Sequence, residues 1–180
     1  MQLKLDKLNS LFGRYDISNM RYRIVNLKNK LDAKFFDSLV DSSCSIPQNH
    51  DYQYNGRIFR SRAEMLYATM LDELDIEYKY DVSVSIGKKI YAVDFAIVFR
   101  EFNRCILFEF FGRCDEHEYN HSNAGKIENM YNAGIYLGRD LFIMSGDEVF
   151  APGPNVIRYQ LASIVAQITE YHVSRMKEYY

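Results

Sequence analysis

Two acidic residues interrupt stretches that are otherwise apolar. Residues 90–99 run Ile-Tyr-Ala-Val-Asp-Phe-Ala-Ile-Val-Phe, apolar on both faces as a central strand is, with Asp94 in the middle. Residues 105–111, Cys-Ile-Leu-Phe-Glu-Phe-Phe, repeat the anomaly at Glu109. A carboxylate buried without a partner is disfavoured enough to take up a proton, so the fold has to supply a cation or hydrogen-bond donors. Strand alternation sets Asp94 on one face with Ala92 and Ala96, small neighbours that leave room for a hydrated divalent metal. The other source of positive charge is an arginine, with Arg62, Arg100 and Arg113 as candidates.

The elements that position these acids follow from changes of period. Ser61 followed by Glu64 has capping-box spacing, and Ala63, Leu66, Tyr67, Met70, Leu71 and Leu74 give the helix that starts there an apolar face. Residues 78–86, 90–99 and 105–111 are rich in β-branched and aromatic side chains and are joined by short turns at 87–89 and 100–104, the pattern of a three-stranded meander. A helix over about 118–132 stops at Gly134, a short strand covers 141–144, and a last helix over 157–177 follows Pro152 and Pro154, with Ile157, Leu161, Ile164, Val165 and Ile168 as its stripe. The predicted order is α-β-β-β-α-β-α, an α/β fold.

Upstream, Leu3, Leu5, Leu8 and Leu11, then Ile24, Leu27, Leu31, Phe35 and Leu39, recur mostly at spacings of three and four on either side of 13–19, which predicts a helical arm suited to packing or a dimer contact. Ser, Asn, Asp, Pro and Gly crowd 41–56, a linker composition. The domain boundary is placed there, with an arm over 1–45 and the main domain over 46–180.

The acids and their neighbours resemble a family. Ser61-Arg62-Ala63-Glu64 opening a helix, Tyr78-Lys79-Tyr80-Asp81 starting a strand, Val93-Asp94-Phe95, and Phe108-Glu109-Phe110-Phe111-Gly112 are similar to the motifs of the PD-(D/E)XK nuclease superfamily, above all to bacterial and phage members whose third strand ends in Glu-His-x-Gly. The likeness covers roughly 54–146. It implies a restriction-endonuclease-like core, a mixed sheet flanked by helices, in which Asp94 and Glu109 hold Mg²⁺ or Mn²⁺, the Phe110 carbonyl is a further ligand and Glu64 assists. It implies hydrolysis of phosphodiester bonds, with DNA as substrate, in a protein encoded by a phage or mobile element. Val93 replaces the family's proline, Phe110 stands at a frequent histidine, and Phe111 stands where the catalytic lysine belongs. Lys126 is the candidate replacement, because Tyr119, Asn123, Lys126 and Met130 share one face of the next helix. The rival implication is a nuclease fold without catalysis that binds nucleic acid or a host protein through the arm.

Other features have plainer explanations. Glu64 is accounted for by the capping box alone. Cys114, His117 and His121 have zinc-like spacing but no evident fourth ligand, and Asp115 and Glu116 between them suit a solvated turn. Tyr52 and Tyr54 interleave with Arg57, Arg60 and Arg62, a pattern fit either for phosphate and base contacts or for a solvated basic loop. The net charge is −2, yet residues 1–40 hold eight Lys/Arg against four Asp/Glu while 41–180 hold 14 against 20, so the basic excess lies in the arm. Nothing approaches the roughly 18 apolar residues of a membrane span. Three cysteines without a CxxC pair suit reduced thiols, and a cytosolic location is expected.

Overall fold

A computed structural model of the chain describes residues 31–42, 52–146 and 152–176, with side chains of the final segment through residue 170. In chain order the elements are α1 (Ala33–Ser38), β1 (Val40–Asp41), β2 (Gln53–Tyr54), β3 (Arg57–Ile58), α2 (Arg62–Glu73), β4 (Glu77–Ile86), β5 (Lys89–Phe99), β6 (Arg104–Phe111), α3 (His117–Asn132), β7 (Leu141–Ser145) and α4 (Pro154–Met176). A mixed five-stranded sheet runs β1-β4-β5-β6-β7, with β7 parallel to β6 and every other neighbour antiparallel. The expected order from α2 to α4 is thus present, with β5 central in the sheet. The last helix begins at Pro154, three residues before the predicted start, because proline is well suited to a first helical turn whose N–H groups have no partner in any case.

The sheet is buried on both sides. Along β6, Cys105 and Leu107 join one core with Val82, Val84, Val93 and Met130, while Ile106 and Phe108 join the other with Tyr67, Leu71, Ile157 and Leu161. Helices α2 and α4 therefore cover one face and α1 and α3 the other. The predicted stripe of α4 is buried at Ile157, Leu161, Ile164 and Ile168, with Val165 packed beside them.

Two regions differ from expectation. First, the end of the expected 41–56 linker runs into the β2–β3 hairpin, in which Asn55 and Gly56 both take positive φ (48° and 76°), as a tight two-residue hairpin turn demands. Second, α1 and β1 are part of the sheet body. Val40 pairs with Ser83, Asp41 with Val82, and Leu31, Phe36 and Leu39 are buried in the α1–α3 core. The remainder of the arm, including Leu3, Leu5, Leu8, Leu11, Ile24 and Leu27, lies outside the described residues.

The sheet's pleat breaks at Asp81 and Asp94. Tyr80 and Phe95, paired across β4 and β5, pack into the α2–α4 core, whereas Val82 and Val93, also paired, pack into the opposite one. Residues two apart on a regular strand share a face, so both strands change phase between these pairs. Asp81 has φ +53°, a conformation Asp tolerates better than most residues, and this lets β4 turn over. The expectation that Asp94 shares its face with both Ala92 and Ala96 is corrected accordingly. Ala92 lines the same cleft as Asp94, while Ala96 is fully buried in the α1–α3 core.

Candidate functional site

The paired register of β5 and β6 ends at Phe95 and Phe108. Beyond that point the next N–H of β6 that would need a partner, that of Phe110, donates to Asp94 Oδ2 at 2.7 Å. A side-chain carboxylate thus takes the place of a ladder acceptor, which fixes Asp94 at the point where the strands part. Glu109 lies one residue before Phe110 and is buried at 4% exposure, on the α3 side of the sheet.

Lys126 closes the site from α3. The predicted face of this helix is realised, since Tyr119, Asn123 and Lys126 line the cleft and Met130 is fully buried below them. The Lys126 ammonium forms an ion pair with Glu109 Oε1 and donates a hydrogen bond to the Ala92 carbonyl at 2.6 Å. Phe111, at the expected lysine position, turns its ring edge-on to Tyr119, with centroids 6.2 Å apart.

The other cation is Arg60, and its place is the largest departure from the sequence-based reading. Instead of facing solvent, the side chain is 12% exposed and bridges three acids. It donates to Asp94 Oδ1 at 2.8 Å and to Asp81 Oδ1 at 3.1 Å, and its Nε lies 3.7 Å from Glu64 Oε2. The arginines expected to pair with the buried acids, Arg62, Arg100 and Arg113, are engaged elsewhere or lie on the rim. Arg100 binds Asp37 and Glu77, Arg113 lies against Glu116 and over the Tyr119 ring, and Arg62 is exposed at the start of α2. Arg57 is exposed in β3.

Glu64 fulfils only half of the predicted capping box. Ser61 Oγ accepts from the Glu64 N–H at 3.2 Å, but the Glu64 carboxylate does not return to the Ser61 amide. It accepts instead from the Tyr80 hydroxyl at 2.5 Å, from Ser61 Oγ at 3.0 Å and from the Arg60 N–H at 3.3 Å. Burial and then Glu64 push the Tyr80 hydroxyl well above its ordinary range, so it stays a donor. Tyr80 and Asp81 belong to the Tyr78-Lys79-Tyr80-Asp81 strand motif but carry no site role in the sequence reading, and what could have singled them out is a second acid, Asp81, in a strand beside Asp94.

The charge in this cluster is unbalanced. Four carboxylates (Glu64, Asp81, Asp94, Glu109) face two cations (Arg60, Lys126). Asp94 is pushed up to about 8, first by burial and then by Glu109 and Glu64, against the pull of the Phe110 N–H and Arg60. Glu109 is also raised by burial, with Lys126 opposing. Burial works against the charge of Arg60, but Asp94 and its neighbours outweigh it and hold the guanidinium above its usual value. The Oε1 of Glu109 is buried and has the Lys126 ammonium as its partner.

These donors fit a hard dication. They are oxygens, and the four acids of the cluster outnumber its two cations. Among the described residues no three His, Cys, Asp or Glu side chains gather as a metal-holding group, so two carboxylates with water and main-chain oxygen are the coordination available, a set that Mg²⁺ accepts. Cys114, His117 and His121 likewise form no such group, and both histidines are exposed. Arg60, Glu64, Asp94, Glu109 and Lys126 line one cleft of about 830 Å³ together with Arg62, Arg113, Tyr52, Tyr119 and Phe111, while Asp81 lies outside it. No described helix is long and apolar enough to cross a membrane. No protein-family model, curated protein or solved structure matches the chain.

Proposed function

We propose that the protein is a Mg²⁺- or Mn²⁺-dependent nuclease that hydrolyses phosphodiester bonds in DNA, built on a restriction-endonuclease-like core. The observation that carries this reading is the meeting of Asp94, Glu109 and Lys126, from two adjacent strands and the following helix, on the floor of one open cleft. The motif resemblance supplies the reaction class and the preference for DNA, and the α-β-β-β-α-β-α order is the one it implies.

Asp94 and Glu109 would hold the ion, which when bound supplies an acidified water and neutralises the phosphodiester. Lys126 has three N–H donors, of which one serves Ala92 and the ammonium also faces Glu109. A remaining N–H is free to meet negative charge developing on the phosphate, which favours the role of charge stabiliser over general base. Glu64 is filled by its own donors and acts through Arg60 and Tyr80 as a positioning residue. Arg62 and Arg113 on the walls suit phosphates, and Tyr52 and Tyr119 suit stacked bases.

The test is cleavage of plasmid and linear DNA with Mn²⁺ by the wild type, Asp94→Asn and Glu109→Gln, each checked for native circular dichroism. Loss of cleavage in both folded variants is expected, and activity persisting in either sinks the reading. The non-catalytic alternative is favoured by Phe111 and by the presence of a protein cation on each metal-facing acid. Absence of both metal binding and cleavage in the wild type would select it.

A further inference from the structure

Arg60 has an unusual position for a residue outside the catalytic set. It precedes the Ser61 cap of α2, and its backbone N–H is fixed by Glu64 Oε2 at 3.3 Å and the Tyr80 hydroxyl at 3.1 Å. Its guanidinium lies 5.7 Å from the centre of the Tyr80 ring, which covers it from one side. From this anchored start the side chain reaches Oδ1 of Asp94. Each acid it serves has a further donor of its own. Asp81 Oδ1 accepts from Ser42 Oγ at 2.6 Å, Asp94 Oδ2 from the Phe110 N–H, and Glu64 from Tyr80 and Ser61. Oδ1 of Asp94 is therefore the oxygen on which Arg60 supplies the charge, while Oδ2 is committed to the backbone of β6. Arg60 and Lys126 together carry two positive charges against the pair Asp94 and Glu109, the charge of a single divalent ion.

We infer that Arg60 is an internal counter-cation that competes with the divalent ion for Asp94, so that the acid cluster has a guanidinium-held form and a metal-held form. The inference rests on the metal-dependent reading of the site. Two like charges on one carboxylate oxygen repel, and in a site this buried the repulsion is weakly screened, so occupancy by the ion weakens the Arg60 contact and the contact weakens the ion. Asp81 is the anchor that retains Arg60 when Asp94 is given up, through its own 3.1 Å bond. The arrangement keeps the cluster assembled without metal and makes the protein by itself a modest metal binder.

The test is calorimetric titration of Mn²⁺ into metal-free wild type, Arg60→Gln, Asp81→Asn and Asp94→Ala, with thermal melting of each, with and without Mn²⁺. Arg60→Gln is expected to bind Mn²⁺ about tenfold more tightly than wild type, to melt lower in chelator, and to gain more from Mn²⁺ than wild type does. Asp81→Asn keeps the residue type's tolerance of positive φ while loosening Arg60, and is expected to tighten Mn²⁺ binding by a smaller factor; it carries the test if Arg60→Gln does not fold. Binding by wild type that is lost in Asp94→Ala but equal or weaker in both other variants overturns the competition and leaves the metal reading standing. No binding in any variant overturns both.

Discussion

At the residue scale, Lys126 and Glu109 form the most consequential pair outside Arg60. Their side chains are 16% and 6% exposed, so each is the other's main compensation for lost water. Removing one partner of a buried pair costs far more than removing both, because the survivor is left charged and unsolvated. Lys126→Met is expected to destabilise the metal-free protein by ~3 kcal/mol, and adding Glu109→Gln to recover most of that loss. Urea unfolding of the two single variants and the double variant measures this. A double variant no more stable than Lys126→Met would mean that Glu109 draws its support from another group. The same residues were only partly legible beforehand. Asp94 and Glu109 stood out because acids are rare in apolar strands, and Lys126 because helical spacing set it with Tyr119 and Asn123. Arg60 was misread because an arginine next to a helix cap looks like any other surface arginine. Its burial depends on Asp81 and Asp94 arriving from two strands, and no local pattern encodes that.

At the element scale, periodicity recovered α2, the three long strands, α3, β7 and α4, since each has enough residues to show a period. The two-residue strands β1, β2 and β3 are too short to alternate and are not visible in the periodicity; the Asn55-Gly56 pair is the local signal for β2 and β3, and β1 has none. The pleat break at Asp81 left the apolar pattern of β4 and β5 looking continuous, because both faces of the sheet are buried and a change of face exchanges one core for the other. The spacing of Ile24 to Leu39 predicts one longer arm helix, whereas α1 has six residues and is capped by the Asp32 side chain on the Phe35 N–H. Its Phe36 is 2% exposed, and the main-chain carbonyls of Phe36, Asp37 and Leu39 all accept from the Lys79 ammonium of β4. Phe36→Ala is therefore expected to cost about 3–5 kcal/mol, the range for removing a buried phenyl ring, and to lower the single melting transition of the whole body. An unchanged midpoint would show that α1 is dispensable to the sheet.

At the scale of the molecule, the cleft concentrates negative charge that the fold keeps buried, and this links stability to pH. Asp94, raised to about 8 in the folded protein, holds its proton there over a range in which the unfolded chain has released it. The folded state then binds more protons than the unfolded one, so the metal-free protein loses stability as pH rises from about 4 towards about 8. Glu109, also raised, acts in the same direction. Melting in chelator is expected to fall across this window in the wild type and to fall less in Asp94→Asn. A wild-type midpoint that is flat or rises there would show that Asp94 is ionised throughout. Under the proposed function, nucleic acid would be held locally through Arg62 and Arg113, because the net charge of −2 offers no long-range attraction, and with so few phosphate contacts its salt dependence is expected to be shallow.

The parting of β5 from β6 gives the protein a spectroscopic handle on its own chemistry. The amide of Phe110 is bonded to the carboxylate of Asp94 and not to a strand partner, so its proton shift and its exchange with solvent follow the state of that one side chain. A single backbone resonance thereby records whether Asp94 is protonated or held by a guanidinium, and would record an ion there under the proposed function, without a substrate or a turnover.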